Sequence, residues 1–176
     1  QSYTRSVIEG IANDAVYEQT GDLQDIAVDL DGSNFMIRAN QSGSSNVVDY
    51  IGAGSYGKVS IEQSGAGNSV TGNSDGYRQY MAVKQDGNEN AVTIAGLNGL
   101  DLNKFYVLQE ENNNLVEVGT VSGTYNRLQF IQIGGNSNEI IFGDVDGDQN
   151  KIFLTQSGGE NSITGSVGDL LKSDDN

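Results

Sequence analysis

An all-β solenoid of seven stacked strand-turn-strand rungs is the fold this 176-residue sequence predicts. Three observations predict it: a glutamine-anchored motif that returns every 22 to 24 residues, period-two alternation of apolar residues around it, and the absence of proline. At ordinary usage of roughly 5% about nine prolines are expected, but a continuous β ladder has no place for a residue without a backbone N–H. Self-similarity at such a period marks repeat architectures, in which one unit cannot bury its apolar face alone and stacking builds a continuous core.

The anchors are Gln19, Gln41, Gln63, Gln85, Gln109, Gln132 and Gln156, each followed two residues later by Gly except Gln109, which has Glu111 there. Five residues after the Gln stands Asn46, Asn68, Asn90, Asn114 or Asn161, with Gln24 in the first copy and Asn138 one residue late in the sixth. The strand before each anchor alternates, as in Ala15/Tyr17, Ile37/Ala39, Val59/Ile61, Met81/Val83, Phe105/Val107, Leu128/Phe130 and Ile152/Leu154. The strand after the Asn does the same, from Ile26/Val28 through Val92/Ile94 to Ile163/Gly165. Such alternation belongs to strands with one buried face. Six residues before the Gln an amide recurs as Asn13, Gln79, Asn103, Asn126 and Asn150, with Phe35 and Gly57 in the second and third copies.

Stacked about 4.8 Å apart, seven rungs make a unit roughly 34 Å long. The inward Gln and Asn then form ladders in which each amide bonds its equivalents above and below, and an amide without that partner costs about 1 to 3 kcal/mol. The Gly two places after the Gln is expected to supply a positive φ. Residues 13–168 form this repeat region. Residues 1–12 form a leader: counting back from Asn13 sets Val7 and Arg5 where Val28 and Ile26 stand before Asn34, so residues 2–8 are expected to form half a rung at a junction between subunits. Residues 169–176 are a short polar tail.

Composition excludes several functions. With 9 Lys and Arg against 24 Asp and Glu the formal charge is −15, so nucleic acid and anionic membranes are poor partners. Without Cys or His there is no thiol nucleophile, disulfide framework, Cys/His zinc site or histidine base. No apolar run approaches the roughly 18 residues of a membrane helix, and the chain reads as soluble and already processed. Asp144, Asp146, Asp148 and Asn150 alternate as calcium ligands do, but Gln149 and Thr155 stand where an EF-hand needs Gly and Glu, which favours a solvated acidic turn. No paired carboxylates mark a polysaccharide-cleaving cleft, and the Gly-rich turns lack a phosphate-binding Lys-Ser/Thr pair. Neither an enzyme nor a cofactor is expected.

The repeat resembles the curlin repeats of bacterial curli fibre subunits. Val59-Ser-Ile61-Glu-Gln63-Ser-Gly65-Ala-Gly67-Asn68-Ser-Val70 and Asn150-Lys-Ile152-Phe-Leu154-Thr-Gln156-Ser-Gly158-Gly-Glu-Asn161-Ser-Ile163 carry the likeness. It implies a secreted functional amyloid subunit, exported through a dedicated outer-membrane pore, that stacks into extracellular fibres of a biofilm matrix with a nucleator as partner. The family's second Gln, eleven residues after the first, is replaced here by Leu30, Gly52, Ser74, Gly96 and Thr120 in the first five copies. The alternatives are a fibre nucleator and a capped monomeric solenoid acting as an adhesin.

Two outward features stand apart. The column five residues before each Gln, Asp14, Met36, Lys58, Tyr80, Lys104, Arg127 and Lys151, gathers four of the nine basic residues, and stacked cations call for acidic groups or an anionic polymer. Tyr106, Leu108, Ile131, Ile133 and Phe153 make the outward surface of the last rungs apolar, either as a solvated face or as a lateral contact. Self-repulsion predicts faster assembly near the pI of about 4.1 or at raised salt.

Overall fold

The structure, a computed structural model, describes residues 3–134 and 137–165. Its strands, numbered along the chain, alternate between two parallel sheets. The first sheet runs β1 (Thr4–Ile11), β3 (Ile26–Ser33), β6 (Val48–Ser55), β9 (Val70–Tyr77), β11 (Val92–Asp101), β13 (Leu115–Thr124), β15 (Glu139–Phe142) and β18 (Ser162–Gly165), with β16 (Val145–Asp146) beside β13. The second holds β2 (Asp14–Glu18), β4 (Met36–Asn40), β7 (Lys58–Glu62), β10 (Tyr80–Lys84), β12 (Lys104–Gln109), β14 (Arg127–Ile133) and β17 (Lys151–Ser157). Short β5 (Gly43–Ser44) and β8 (Gly65–Ala66) pair in the turn after the Gln. The chain is thus a β-solenoid of about seven turns, with every strand paired to its equivalent one turn away.

Register follows the repeat. Val48 pairs Ile26 and Val70, Val92 pairs Val70 and Val116, and Phe105 pairs Met81 and Leu128, so like sits on like. Spacings longer than 22 are absorbed as irregularities between Ile94 and Leu97 and between Asn98 and Asp101 of β11. The inward faces of the two sheets meet in one continuous core, in which Ile26, Val70, Val92, Val107, Val116 and Phe130 are fully buried.

The two copies that lack the amide six residues before the Gln are explained by size. A Cβ on Gly57 would lie 1.9 Å from the Phe35 ring, so the ring fills the space its neighbour leaves empty. Tyr50 uses the same device, lying beside Gly72 with its hydroxyl 1.8 Å from where a Cβ on Gly52 would be.

Two sequence expectations are corrected. The leader does form a strand, β1, but Thr4, Ser6 and Ile8 pair with Ile26, Val28 and Leu30, and Ile8 packs on the core while Val7 is 62% exposed. Asn34, which the count from Asn13 takes as its equivalent, occupies the corner, and Phe35, 22 residues on, is the true equivalent. The glycines after the Gln also behave otherwise: Gly21, Gly43, Gly65 and Gly87 are absent from the positive-φ residues, and the left-handed conformation falls one residue later, on Asp22, Ser44, Ala66 and Asn88. Gly134 and Gly158 alone in that column fit the expectation. Residues 166–176, which include the tail, lie outside the described residues.

Candidate functional site

The inward amides are the most organised polar feature of the molecule. Gln41, Gln63, Gln85, Gln109 and Gln132 are buried, Gln19 and Gln156 at the ends half-buried. Each Gln Nε2 donates to a backbone carbonyl across its own turn, for example Gln41 to Val47 at 2.7 Å, Gln63 to Ser69 at 2.8 Å and Gln85 to Ala91 at 2.9 Å. The same group also donates to the next rung: Gln19 to Gln41 Oε1 at 3.1 Å, Gln41 to Gln63 at 2.7 Å, Gln63 to Gln85 at 2.6 Å and Gln85 to Gln109 at 2.5 Å. One side chain therefore closes a turn and locks the rung above it.

The Asn ladder runs the other way. Asn114 donates to Asn90, Asn90 to Asn68 at 2.6 Å and Asn68 to Asn46 at 2.8 Å, and Asn46 meets the Gln24 amide at 2.7 Å. Both ladders reverse between the fifth and sixth rungs: Gln156 donates back to Gln132 at 2.8 Å, and Asn138 donates forward to Asn161 at 3.0 Å. Asn161 is exposed at the last rung. The reversal leaves Asn114 Oδ1 and Asn138 Oδ1 buried with no donor. It coincides with the extra residue that sets Asn138 late, a signal already in the sequence.

The opposite corner works differently. The backbone N–H groups of Gln79, Asn103 and Asn126 donate to the side-chain oxygens of Asn103, Asn126 and Asn150 at 2.8, 3.0 and 2.9 Å. The residue just before each inward position, Ala12, Asn34, Tyr56, Arg78, Leu102, Tyr125 and Gln149, is left-handed with φ between 54° and 65°, and none is glycine. That conformation is costly for L-residues, and it is held by stacking: Asn34 N–H donates to Ser55 O at 2.9 Å and Tyr56 N–H to Tyr77 O at 2.9 Å.

Three residues ahead of the inward position, four in the case of Gly99, comes a ladder of glycines that sequence reading missed. A Cβ at Gly32, Gly54, Gly76 or Gly99 would lie 1.6 to 2.1 Å from the carbonyl oxygen of Gly10, Gly32, Gly54 or Gly76 respectively.

The outward expectations fall on one sheet. The basic column is in register on the second sheet, Lys58 beside Tyr80, Tyr80 beside Lys104, Lys104 beside Arg127 and Arg127 beside Lys151. Leu108 and Ile131 pair directly and are half-buried, as is Tyr106, while Phe153 and Ile133 are 44% and 47% exposed. These residues therefore form one patch across the fifth to seventh rungs. Among the described residues no group of three or more acidic side chains converges on an ion-sized site. Two groups have displaced pKa values: burial raises the Tyr50 phenol, and partial burial with the Asp49 charge beside it raises Asp25.

Comparison with protein-family models, with curated proteins and with solved structures finds no match.

Proposed function

We propose that the chain is a structural subunit of a secreted, self-assembling, amyloid-like fibre at the bacterial cell surface, whose copies stack head to tail along the solenoid axis. The contrast between a sealed middle and open ends carries this reading. Val92, Val107, Val116 and Phe130 are fully buried, whereas inward Ile163 on β18 is 54% exposed and Ile152, Leu154, Ala15 and Tyr17 on the other terminal strands are only partly buried. Among the described residues β1 and β2 end their sheets on one side and β17 and β18 on the other, and these strand edges with their apolar surface are what a further copy would stack on. Such addition is heterologous and does not close, so it builds filaments.

The resemblance to curlin repeats supports the extracellular setting, with export through a curli-type pore in unfolded form and a nucleator to start growth. A folded solenoid inside the cell would template its own polymerisation. Negative-stain electron microscopy with sedimentation over time tests the proposal. Detergent-resistant fibres growing from soluble protein are expected, fastest near the pI of about 4.1 and at raised salt. Protein that stays monomeric with β-rich circular dichroism would remove the fibre and leave a capped, surface-binding solenoid.

A further inference from the structure

The outer face of the second sheet is graded across its width. One margin is basic, and its cations are held against rings: Lys58 lies 5.7 Å from the Tyr80 ring centre, Arg127 4.5 Å from Phe153, and Arg78 at the corner 5.0 Å from Tyr77. Among the described residues none of these cations has a carboxylate within salt-bridge reach, and the ion pair found there, Lys84 with Asp86, is at the other margin. That margin carries Glu62 and leads into the turn with Asp86, Glu110 and Glu111. Between the margins, Tyr106 and Phe153 flank Gln129 in the middle column.

We propose that two copies pair face to face through this surface, related by a two-fold axis parallel to the solenoid axis. That rotation sets the basic column of each copy on the column four residues further along the same strand of the other, at the same rung, so that opposite charges meet at the third and fourth rungs and cationic stems meet apolar side chains at the fifth and sixth. A two-fold axis across the solenoid would instead set like margins together. With the axis on the middle column, Lys58 faces Glu62 of the second copy, Arg78 faces Asp86, and the Tyr80 ring faces Lys84. Leu108 and Ile131 lie against the aliphatic stems of Lys104 and Arg127. Tyr106, Gln129 and Phe153 of the middle column meet their own copies, as an isologous contact requires. The like-charge meetings, Asp14 with Glu18 and Arg38 with itself, are confined to the first two rungs.

A face of about 34 Å by about 17 Å offers about 600 Å² per copy, less than the roughly 800 Å² per partner of a stable standard interface. Pairing is therefore weak between single subunits and cumulative between filaments, where the contact repeats along the axis. To that extent it rests on the fibre reading.

The chain has no cysteine, so single cysteines report the axis directly. Gln129→Cys and Ser60→Cys, both on the middle column, are expected to give covalent dimers with a short bismaleimide in fibres, at least tenfold more than Thr71→Cys on the outer face of the first sheet. Lys58→Glu combined with Ser60→Cys is expected to lower the yield several-fold, and adding Glu62→Lys to restore it. Equal crosslinking from Thr71→Cys, or fibres in which neither middle-column cysteine crosslinks, would overturn the pairing while leaving the fibre intact. If no fibres grow, the same crosslinking on concentrated soluble protein decides: selective dimers there keep the pairing and remove the fibre, and their absence removes both.

Discussion

The two corners of the rung solve the same problem by opposite means. At the turn after the Gln, side chains do the joining, since Gln41, Gln63 and Gln85 each bind a carbonyl of their own turn and an amide of the next rung. At the corner before the inward amide, the backbone does it, and what matters is the missing Cβ that lets Gly54 approach the Gly32 carbonyl. A ladder built from side chains tolerates a change of backbone residue beside it. A corner built from backbone contact does not.

The largest expected effect tests that difference. Gly54 has φ 126° and its Cβ would sit 1.6 Å from Gly32 O, so Gly54→Ala combines strain with a clash against backbone and is expected to cost about 4 kcal/mol. Gly43, in the Gln turn, has no atom within 4 Å of its would-be Cβ, and Gly43→Ala is expected to change stability by less than about 0.5 kcal/mol. Denaturant midpoints of the two variants decide it, and comparable losses would erase the distinction between the corners.

Next in size is a contrast within the Asn ladder. Asn68→Ala removes the donor to Asn46 Oδ1 and the acceptor of Asn90 Nδ2, both fully buried, for a cost of about 3 kcal/mol. Asn138→Ala, at the reversal, takes a donor from exposed Asn161 and from Ser157 O, which keeps the Gly134 N–H, and deletes an oxygen that already lacks a donor. A loss of about 1 kcal/mol is expected there. Equal losses in the same unfolding measurement would mean that the two ladders are continuous through the fifth and sixth rungs.

This asymmetry also explains what the sequence disclosed. The Gln and Asn columns, the alternating strands and the stacking of like on like were legible, because a side chain that must face inward at every turn leaves a residue type at a fixed interval. The glycine ladder obeys the same interval in most rungs, yet Gly99 stands four residues before Asn103 where the others stand three before their inward position. Glycine is also common enough here to hide a column. Phe35 and Gly57 looked like departures from the repeat, and only contact between neighbouring rungs reveals them as a matched pair. The sequence sets the leader one residue out of register because Asn34 imitates the amide that Phe35 replaces. In β structure one residue exchanges the inward and outward faces.

The smallest expected effect concerns Tyr50, a ring enclosed, like Phe35, where a neighbouring glycine leaves room. Tyr50 is 1% exposed, its hydroxyl makes no well-formed hydrogen bond, and burial raises its pKa above the ordinary value of about 10. The folded state therefore holds the phenolic proton more tightly than the unfolded one, so the contribution is constant below about pH 10 and is lost as pH rises beyond it. Unfolding midpoints measured from pH 8 upward should be level and then fall, and Tyr50→Phe should reduce that fall. At neutral pH the same substitution deletes a buried hydroxyl without a partner, so stability is expected to hold or rise by about 1 kcal/mol. A clear loss on Tyr50→Phe would mean that the hydroxyl bonds Ser74 across the rung, and that side chains rather than the space left by Gly52 and Gly72 fix this ring.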